Sequence, residues 1–291
     1  MNFLRALIIY VGHITGIVLP FLLFQYNKSK NNRLTIYNLH STSIEDFPKY
    51  FSLLKRIDQK EKFINPKELD KFFNNKLDNK SFSLLTLDDG FDNNYIFAKT
   101  VLKELNIKAI FFIIPNIINN KSMDTNYEFY NILFPKKNIK KFKKYKNKFK
   151  PMSLKKILNI NNYGHTIGMH GYNHENFGTL NEQEILSSIN KGLNIFKKYK
   201  IEVKHFAYPF GHKNSFNKIS NNLVKQYFKY IHLGIRGINY NKKTESKGIL
   251  LMRHPISSLK KDLKYSPISY KEINFFTSNR ISFLINKFYK S

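Results

Sequence analysis

Leu84-Leu85-Thr86-Leu87-Asp88-Asp89-Gly90-Phe91 is the stretch on which the reading of this chain turns. The apolar run from Ser81 to Leu87 has the length of a buried strand. It delivers two adjacent carboxylates and a glycine at its carboxyl end. Like charges at the mouth of a buried strand resist joint ionisation, so a fold tolerates them best when a cation neutralises one and chemistry employs the other. A cation site is offered further on, where His170 and His174 stand four apart in Gly168-Met169-His170-Gly171-Tyr172-Asn173-His174-Glu175. One Asp and two His make a three-ligand set that leaves room for water, the arrangement of catalytic rather than structural zinc. The pattern points to a metal-dependent hydrolase.

Working outward, Leu34-Thr35-Ile36-Tyr37 reads as a strand ending near His40. A helix over Ile44–Ile57 follows, with Ser43 as its cap, then a short helix over Glu68–Phe73. Beyond the carboxylates, a helix over Asn94–Leu105 leads to a buried strand, Lys108–Ile114. Such strand-helix-strand units build parallel sheets and barrels. Residues 116–151 break the rhythm, and their Lys-rich part, Lys136–Lys150, reads as a solvated insertion. The pattern resumes with a helical turn at Leu154–Leu158, a strand at His165–Met169, and an amphipathic helix over Asn181–Lys198 capped by Asn181. A strand at Val203–Tyr208 stops at Pro209. It is followed by a helix (Phe216–Phe228), strands at Tyr230–Ile235 and Ile249–Met252, and a terminal helix over Tyr270–Tyr289. Asp88, Asp89, His170, Pro209 and Arg253 all fall at carboxyl ends of strands, where α/β barrels gather their functional side chains.

Composition narrows the class. At 291 residues the chain can bury a large core, and 42% hydrophobic content is that of a globular protein. The formal charge of +29 comes almost wholly from lysines spread along the whole chain, a pattern of compositional drift. Its functional readings are an anionic glycan or an acidic membrane face. Nucleic acid is not expected, because arginines are few and no basic helix stands out. Without cysteine there is neither a disulfide nor a thiolate metal site, so any metal must use His and carboxylate. The apolar stretch Phe3–Phe24 reads as an uncleaved anchor, a helix lying on a membrane, or a helix packed on the domain. Membrane association is the expectation, its side undetermined, with a cytoplasmic location as the alternative.

At this point the motifs resemble those of the polysaccharide deacetylases with a NodB-homology domain, carbohydrate esterase family four. Thr86-Leu87-Asp88-Asp89-Gly90 resembles the family's Thr-Phe-Asp-Asp-Gly, and His170 to His174 its His-(Ser/Thr)-x-x-His. Ala207-Tyr208-Pro209-Phe210-Gly211 resembles its third motif without the leading arginine, and Leu34 to Ser41 its opening strand, with His40 at the histidine. The resemblance implies a deformed, seven-stranded (β/α) barrel, an α/β fold. It divides the chain into an apolar helix and linker (1–33), a catalytic domain (34–260) with an insertion at 116–151, and a helical tail (261–291).

The resemblance also implies roles. Asp88 would be the general base, while Asp89, His170 and His174 would hold a divalent metal, with zinc the first choice. The backbone N–H of Tyr208, at the Pro209 turn, would hold the oxyanion. His254 would be the acid, with His40 as the other contender, and Arg253 would bind substrate or a carboxylate. The implied reaction removes N-acetyl groups from an amino-sugar polysaccharide or a lipid-linked glycan. Three departures stand out: Gly171 replaces a hydroxyl residue, Glu175 stands where proline is common, and Ala207 replaces the arginine that orients the base. Two other readings compete. One is a non-catalytic carbohydrate-binding protein on the same fold. The other is a non-haem iron oxygenase, whose facial triad uses the same donors but needs no adjacent base.

Overall fold

The computed structural model describes residues 32–78, 81–119, 125–134, 149–241 and 248–256. The apolar stretch 3–24, most of the Lys-rich segment and the expected tail helix lie outside the described residues. No helix among the described residues is long and apolar enough to cross a membrane.

Strands β1 (Arg33–Leu39), β3 (Ser81–Leu87), β4 (Ala109–Ile113), β5 (Thr166–Met169), β6 (His205–Ala207), β7 (Tyr230–Leu233) and β9 (Ile249–Met252) run parallel and pair in that order. Two short strands lie off this path: β2 (Lys62–Phe63) beside β3, and β8 (Asn239–Tyr240) antiparallel to β1. The chain then kinks at Arg253, and β10 (His254–Pro255) pairs with β1. One kinked strand, the last among the described residues, therefore spans both edges and closes a seven-stranded barrel. The ladder gap at the kink is bridged by Asn239. Its side-chain amide accepts from Met252 N (2.9 Å) and donates to the carbonyls of Met252 (2.9 Å) and Leu34 (3.3 Å).

Alternation along the strands sorts side chains to two faces. Leu34, Ile36, Phe82, Leu84, Ile110, Phe112 and Leu251 form the cluster that fills the barrel. Leu39, Leu85, Leu87, Phe111, Ile113 and Met169 belong to the larger layer beneath the helices. Phe72 and Phe73, on the helix Leu69–Phe73, seal the amino-terminal mouth. There Phe72 meets Phe82 edge-on at 5.7 Å and Phe73 stacks on Tyr230 at 6.0 Å.

Local sequence explains most element ends. The helix Glu182–Lys198 starts with a full capping box, Asn181 with Glu184, as its sequence predicts. Ser43 instead opens a 3-10 turn (Ile44–Asp46), and the helix begins only at Phe47. The expected helix over Asn94–Leu105 starts earlier, at Asp92, and relaxes into a π turn over Ala98–Leu102. The described part of the insertion has a small core of its own, in which Phe129 and Leu133 pack on Phe91 and Ile114. Its far end clamps the carboxylate turn, with Met152 N donating to Gly90 O and Asp92 N to Lys150 O, both at 2.8 Å.

Phe72→Ala is expected to lower unfolding free energy by about 3–5 kcal/mol in a urea titration, through lost burial and an unfilled cavity. A loss below about 1 kcal/mol would show that the barrel mouth is not sealed by this side chain.

Candidate active site

Strand β3 carries Asp88 and Asp89 to the carboxyl-terminal mouth, and the backbone then parts their directions. Asp88 follows the inward alternation of Leu84 and Thr86, while Asp89 takes a left-handed conformation, φ +70°. Asp89 therefore faces the loop after β5. Its Oδ1 lies 3.3 Å from His170 Nε2 and 3.5 Å from His174 Nε2, and all three residues are buried.

This arrangement fits a divalent cation. Among the described residues Asp89 Oδ1 is buried without a hydrogen-bond partner, and with His170 and His174 it forms a cluster that could hold a metal ion. The 3.3 and 3.5 Å separations of Asp89 Oδ1 from the two Nε2 atoms are those of neighbouring ligands in a tetrahedral set with bonds of about 2.0–2.2 Å. His170 Nδ1 lies 2.8 Å from the Ala207 carbonyl, which fixes the tautomer that leaves Nε2 free as a ligand. Burial holds His174 neutral, its pKa lowered to about 4. At His170 burial also disfavours the charged ring, but Asp89 and Asp88 outweigh it and raise the pKa. Burial works against ionised Asp89 too, yet the surrounding histidines keep its carboxyl far below the usual range. A proton and a cation thus compete for the same Nε2 atoms.

The loop that presents the two histidines explains two of the departures noted in the sequence. Gly171 adopts φ +67°, and a Cβ there would stand 2.8 Å from Glu175 Oε2. That carboxylate accepts from Asn173 N at 2.9 Å. Glu175 thus orders the loop from the space that a side chain at 171 would occupy.

Asp88 is held on both oxygens. Arg253 Nη1 donates to Oδ1 at 2.7 Å and Asn38 Nδ2 to Oδ2 at 3.1 Å. Arg253, only 1% exposed, also donates from Nε to Leu233 O (3.2 Å) and from Nη1 to Thr86 Oγ1 (3.3 Å). Its guanidinium lies 5.4 Å from the centre of the Phe112 ring. Burial alone would raise the Asp88 pKa, but Arg253 first, then His170 and His40, bring it below the ordinary value. Arg253, at the kink between β9 and β10, thus puts beside Asp88 the positive charge that Ala207 cannot supply. Asn38 escaped the sequence reading. Its only signal was a polar residue in the inward register of Leu34 and Ile36.

His254 is not brought to the carboxylates. Adjacent strand residues face opposite sides, so with Arg253 pointing inward His254 points outward. There its Nε2 lies 3.0 Å from Gly237 O and its ring 6.4 Å from Tyr37. Burial lowers its pKa to about 4. His40, exposed at the end of β1, is instead within electrostatic reach of Asp88, Asp89 and His174.

Tyr208 also departs from expectation, because its N–H is spent on His232 O at 3.2 Å and its hydroxyl donates to Asn221 at 2.8 Å. Pro209 has no N–H to offer. The next residue, Phe210, is 46% exposed with φ +63°, and its ring centroid lies 4.6 Å from that of His174. Among the described residues its N–H meets no acceptor. His205 and His232 lie deeper in the barrel, 3.2 Å apart, and burial takes His205 down to about 3.

Residues 75–228 match the polysaccharide deacetylase family, and the chain belongs to that family of amide-cleaving hydrolases. The match includes Asp88, Asp89, His170 and His174 but stops short of Arg253 and begins after His40. Solved structures share the fold. The de-N-acetylase from Aggregatibacter actinomycetemcomitans is 15% identical, with 84% of this chain and 100% of that one covered and a TM-score of 0.61. IcaB from Ammonifex degensii is 16% identical, with 84% and 97% covered and a TM-score of 0.57. The Streptococcus pyogenes deacetylase PplD, solved with acetate, is 19% identical, with 78% and 92% covered and a TM-score of 0.57. No curated protein matches the chain.

Zinc at 100 times its dissociation constant is expected to stabilise the protein by about 2.7 kcal/mol, and Asp89→Ala to abolish the effect in thermal unfolding. Equal stabilisation of both proteins would place the cation elsewhere. Arg253→Met is expected to cost about 3–5 kcal/mol near neutral pH, because it strands a buried carboxylate. A chemical-denaturation midpoint like that of the wild type would count against the pairing.

Proposed function

We propose that this chain is a metal-dependent deacetylase that removes N-acetyl groups from an amino-sugar polysaccharide or glycolipid. The observation that carries the reading is a buried Asp-His-His cluster with a second carboxylate, Asp88, beside it and outside the donor set. When bound there, a divalent cation supplies Lewis acidity that lowers the pKa of water and polarises a carbonyl. Two imidazoles and one carboxylate suit zinc.

The chain's own groups supply the rest. Asp88 accepts the proton of the attacking water, with Arg253 and Asn38 holding both its oxygens in place. A C–O bond forms at the acetyl carbon while the Phe210 N–H faces the developing oxyanion. The C–N bond then breaks, His40 donates a proton to the departing nitrogen, and acetate and a free amine leave. The ion pair on Asp88 favours this base role over the iron-oxygenase reading, which gives an arginine-held carboxylate nothing to do. The apolar stretch 3–24 would keep the domain at a membrane, near a lipid-linked or cell-surface glycan.

Asp88→Asn is expected to cut acetate release from chitooligosaccharides by about 10²–10⁴-fold while zinc affinity stays within a fewfold. Full turnover in that variant would remove the basis of the reading. His40→Gln should lower kcat more than it changes KM. Unchanged kcat would assign the proton donor elsewhere.

A further inference from the structure

The turn from His40 to Ser43 carries the proposed proton donor and leads from β1 into the 3-10 turn Ile44–Asp46. Its own backbone has little to hold it. The ladder between β1 and β3 ends at the bond from Asp88 N to Leu39 O (2.9 Å), and among the described residues 40–42 enter no backbone–backbone hydrogen bond. Side chains from the helix Asp92–Phe97 supply what the ladder does not. Asn93 Nδ2 donates to Ser41 Oγ at 2.8 Å, Asn93 Oδ1 accepts from Thr42 N at 3.3 Å, and Asn94 Oδ1 accepts from Thr42 Oγ1 at 3.0 Å. We propose that Asn93 and Asn94 are positioning residues that clamp the His40 turn to the carboxylate turn, an inference that rests on the reading of His40 as the proton donor.

The use made of these two amides is the first support. Asparagine suits a helix cap and is a poor choice inside a helix. Here the cap position is Phe91, with no side-chain cap bond, and the two asparagines follow it within the first turn. Both spend their side chains on residues 51 or 52 positions away in sequence. Thr42 and Asn94 are each 0% exposed, so the bond between them is desolvated. A polar side chain is buried at a cost that its hydrogen bonds must offset.

Rigidity is the second support. The helix that carries the asparagines is itself fixed: Asp92 Oδ1 accepts from Lys156 Nζ at 2.6 Å and Asp92 N donates to Lys150 O at 2.8 Å. At its other end the Phe97 ring packs on Phe47 and Tyr50, with centroids 5.3 and 5.6 Å apart. Leu39 is held by Asp88 N on one side of His40, and Ser41 and Thr42 by the asparagines on the other. The backbone of His40 is thereby fixed relative to Asp88, and side-chain rotations alone remain to the imidazole.

Chemistry is the third support. In the proposed reaction the C–N bond breaks with its electron pair on nitrogen, which takes the proton of protonated His40 and leaves as the amine. Such a donor must sit within hydrogen-bond reach of that nitrogen, and a misplacement of about 1 Å can cost about 10²-fold in rate. His40 is exposed, so packing around its ring does not supply that precision. The fixing has to come through the chain on either side, where the three asparagine bonds lie.

The experiment uses full-length chains and two substrates: chitooligosaccharide, whose amine must be protonated to leave, and 4-nitrophenyl acetate, whose phenolate leaves with the electron pair and needs no proton. Asn93→Ala and Thr42→Val are each expected to lower kcat on chitooligosaccharide about tenfold, part of the about 10²–10⁴-fold that a positioned acid contributes. KM and turnover of the aryl ester should stay within about twofold, and Thr42→Ser, which keeps the hydroxyl, should restore kcat. Added to His40→Gln, Asn93→Ala should cost less than about a further twofold, because both act through one imidazole. Hydrogen exchange of the amides at 40–43 should quicken about tenfold in Asn93→Ala. An equal loss on both substrates, or an undiminished loss in the His40→Gln background, overturns the clamp. If His40→Gln lowers kcat and Asn93→Ala does not, the donor stands and the clamp falls. Unchanged kcat in His40→Gln removes the donor and the clamp's role with it. If the wild type releases no acetate, the proposed activity falls and exchange decides the clamp: quickened exchange keeps it, unchanged exchange overturns it.

Discussion

The buried ion pair between Asp88 and Arg253 is the contact on which the rest depends. It joins the carboxyl end of β3 to the kink between β9 and β10, so one 2.7 Å contact ties the strand that closes the barrel to the proposed base. Two adjacent carboxylates in a low-dielectric mouth would otherwise suppress each other's ionisation. The fold separates them by giving each its own surroundings: the Arg253 guanidinium for Asp88, and for Asp89 the two histidines with which it could hold a cation. The desolvated charges gain because the pair is fully enclosed by further hydrogen bonds, from Asn38 to the carboxylate and from the guanidinium to Leu233 and Thr86.

Backbone strain is distributed to the same purpose. Among the described residues six non-glycine residues have positive φ. Asn75, Asn106 and Lys200 follow helices, where a left-handed residue is an ordinary way to stop. Asp89, His174 and Phe210 instead lie at the carboxyl-terminal mouth of the barrel, where each left-handed residue costs on the order of 1–3 kcal/mol and needs surrounding structure to hold it. In return Asp89 turns away from Asp88, His174 turns toward Asp89, and the Phe210 N–H is freed from the ladder that takes up its neighbour at Tyr208.

The departures from the family's motifs prove to be exchanges. Glu175 takes up the space left open at Gly171 and orders the histidine loop. Arg253 supplies, from the far end of the chain, the positive charge missing at Ala207. The small side chain at 207 in turn belongs to the packed cluster inside the barrel, beneath the site.

Sequence alone determined the parallel barrel and the Asp-His-His cluster. Apolar runs of strand length recur between amphipathic helices, and an Asp-Asp-Gly followed by a spaced histidine pair leaves few other uses for those side chains. Asn181 likewise announced its helix, because a capping box is a local interaction. Tertiary structure decided everything that turns on one residue of register. Strand alternation placed Arg253 inside and His254 outside, and a peptide turn passed the free N–H from Tyr208 to Phe210. Asn38 met Asp88 only once β1 lay beside β3. Those choices depend on which strand lies next to which, and residue spacing along a chain carries no record of that.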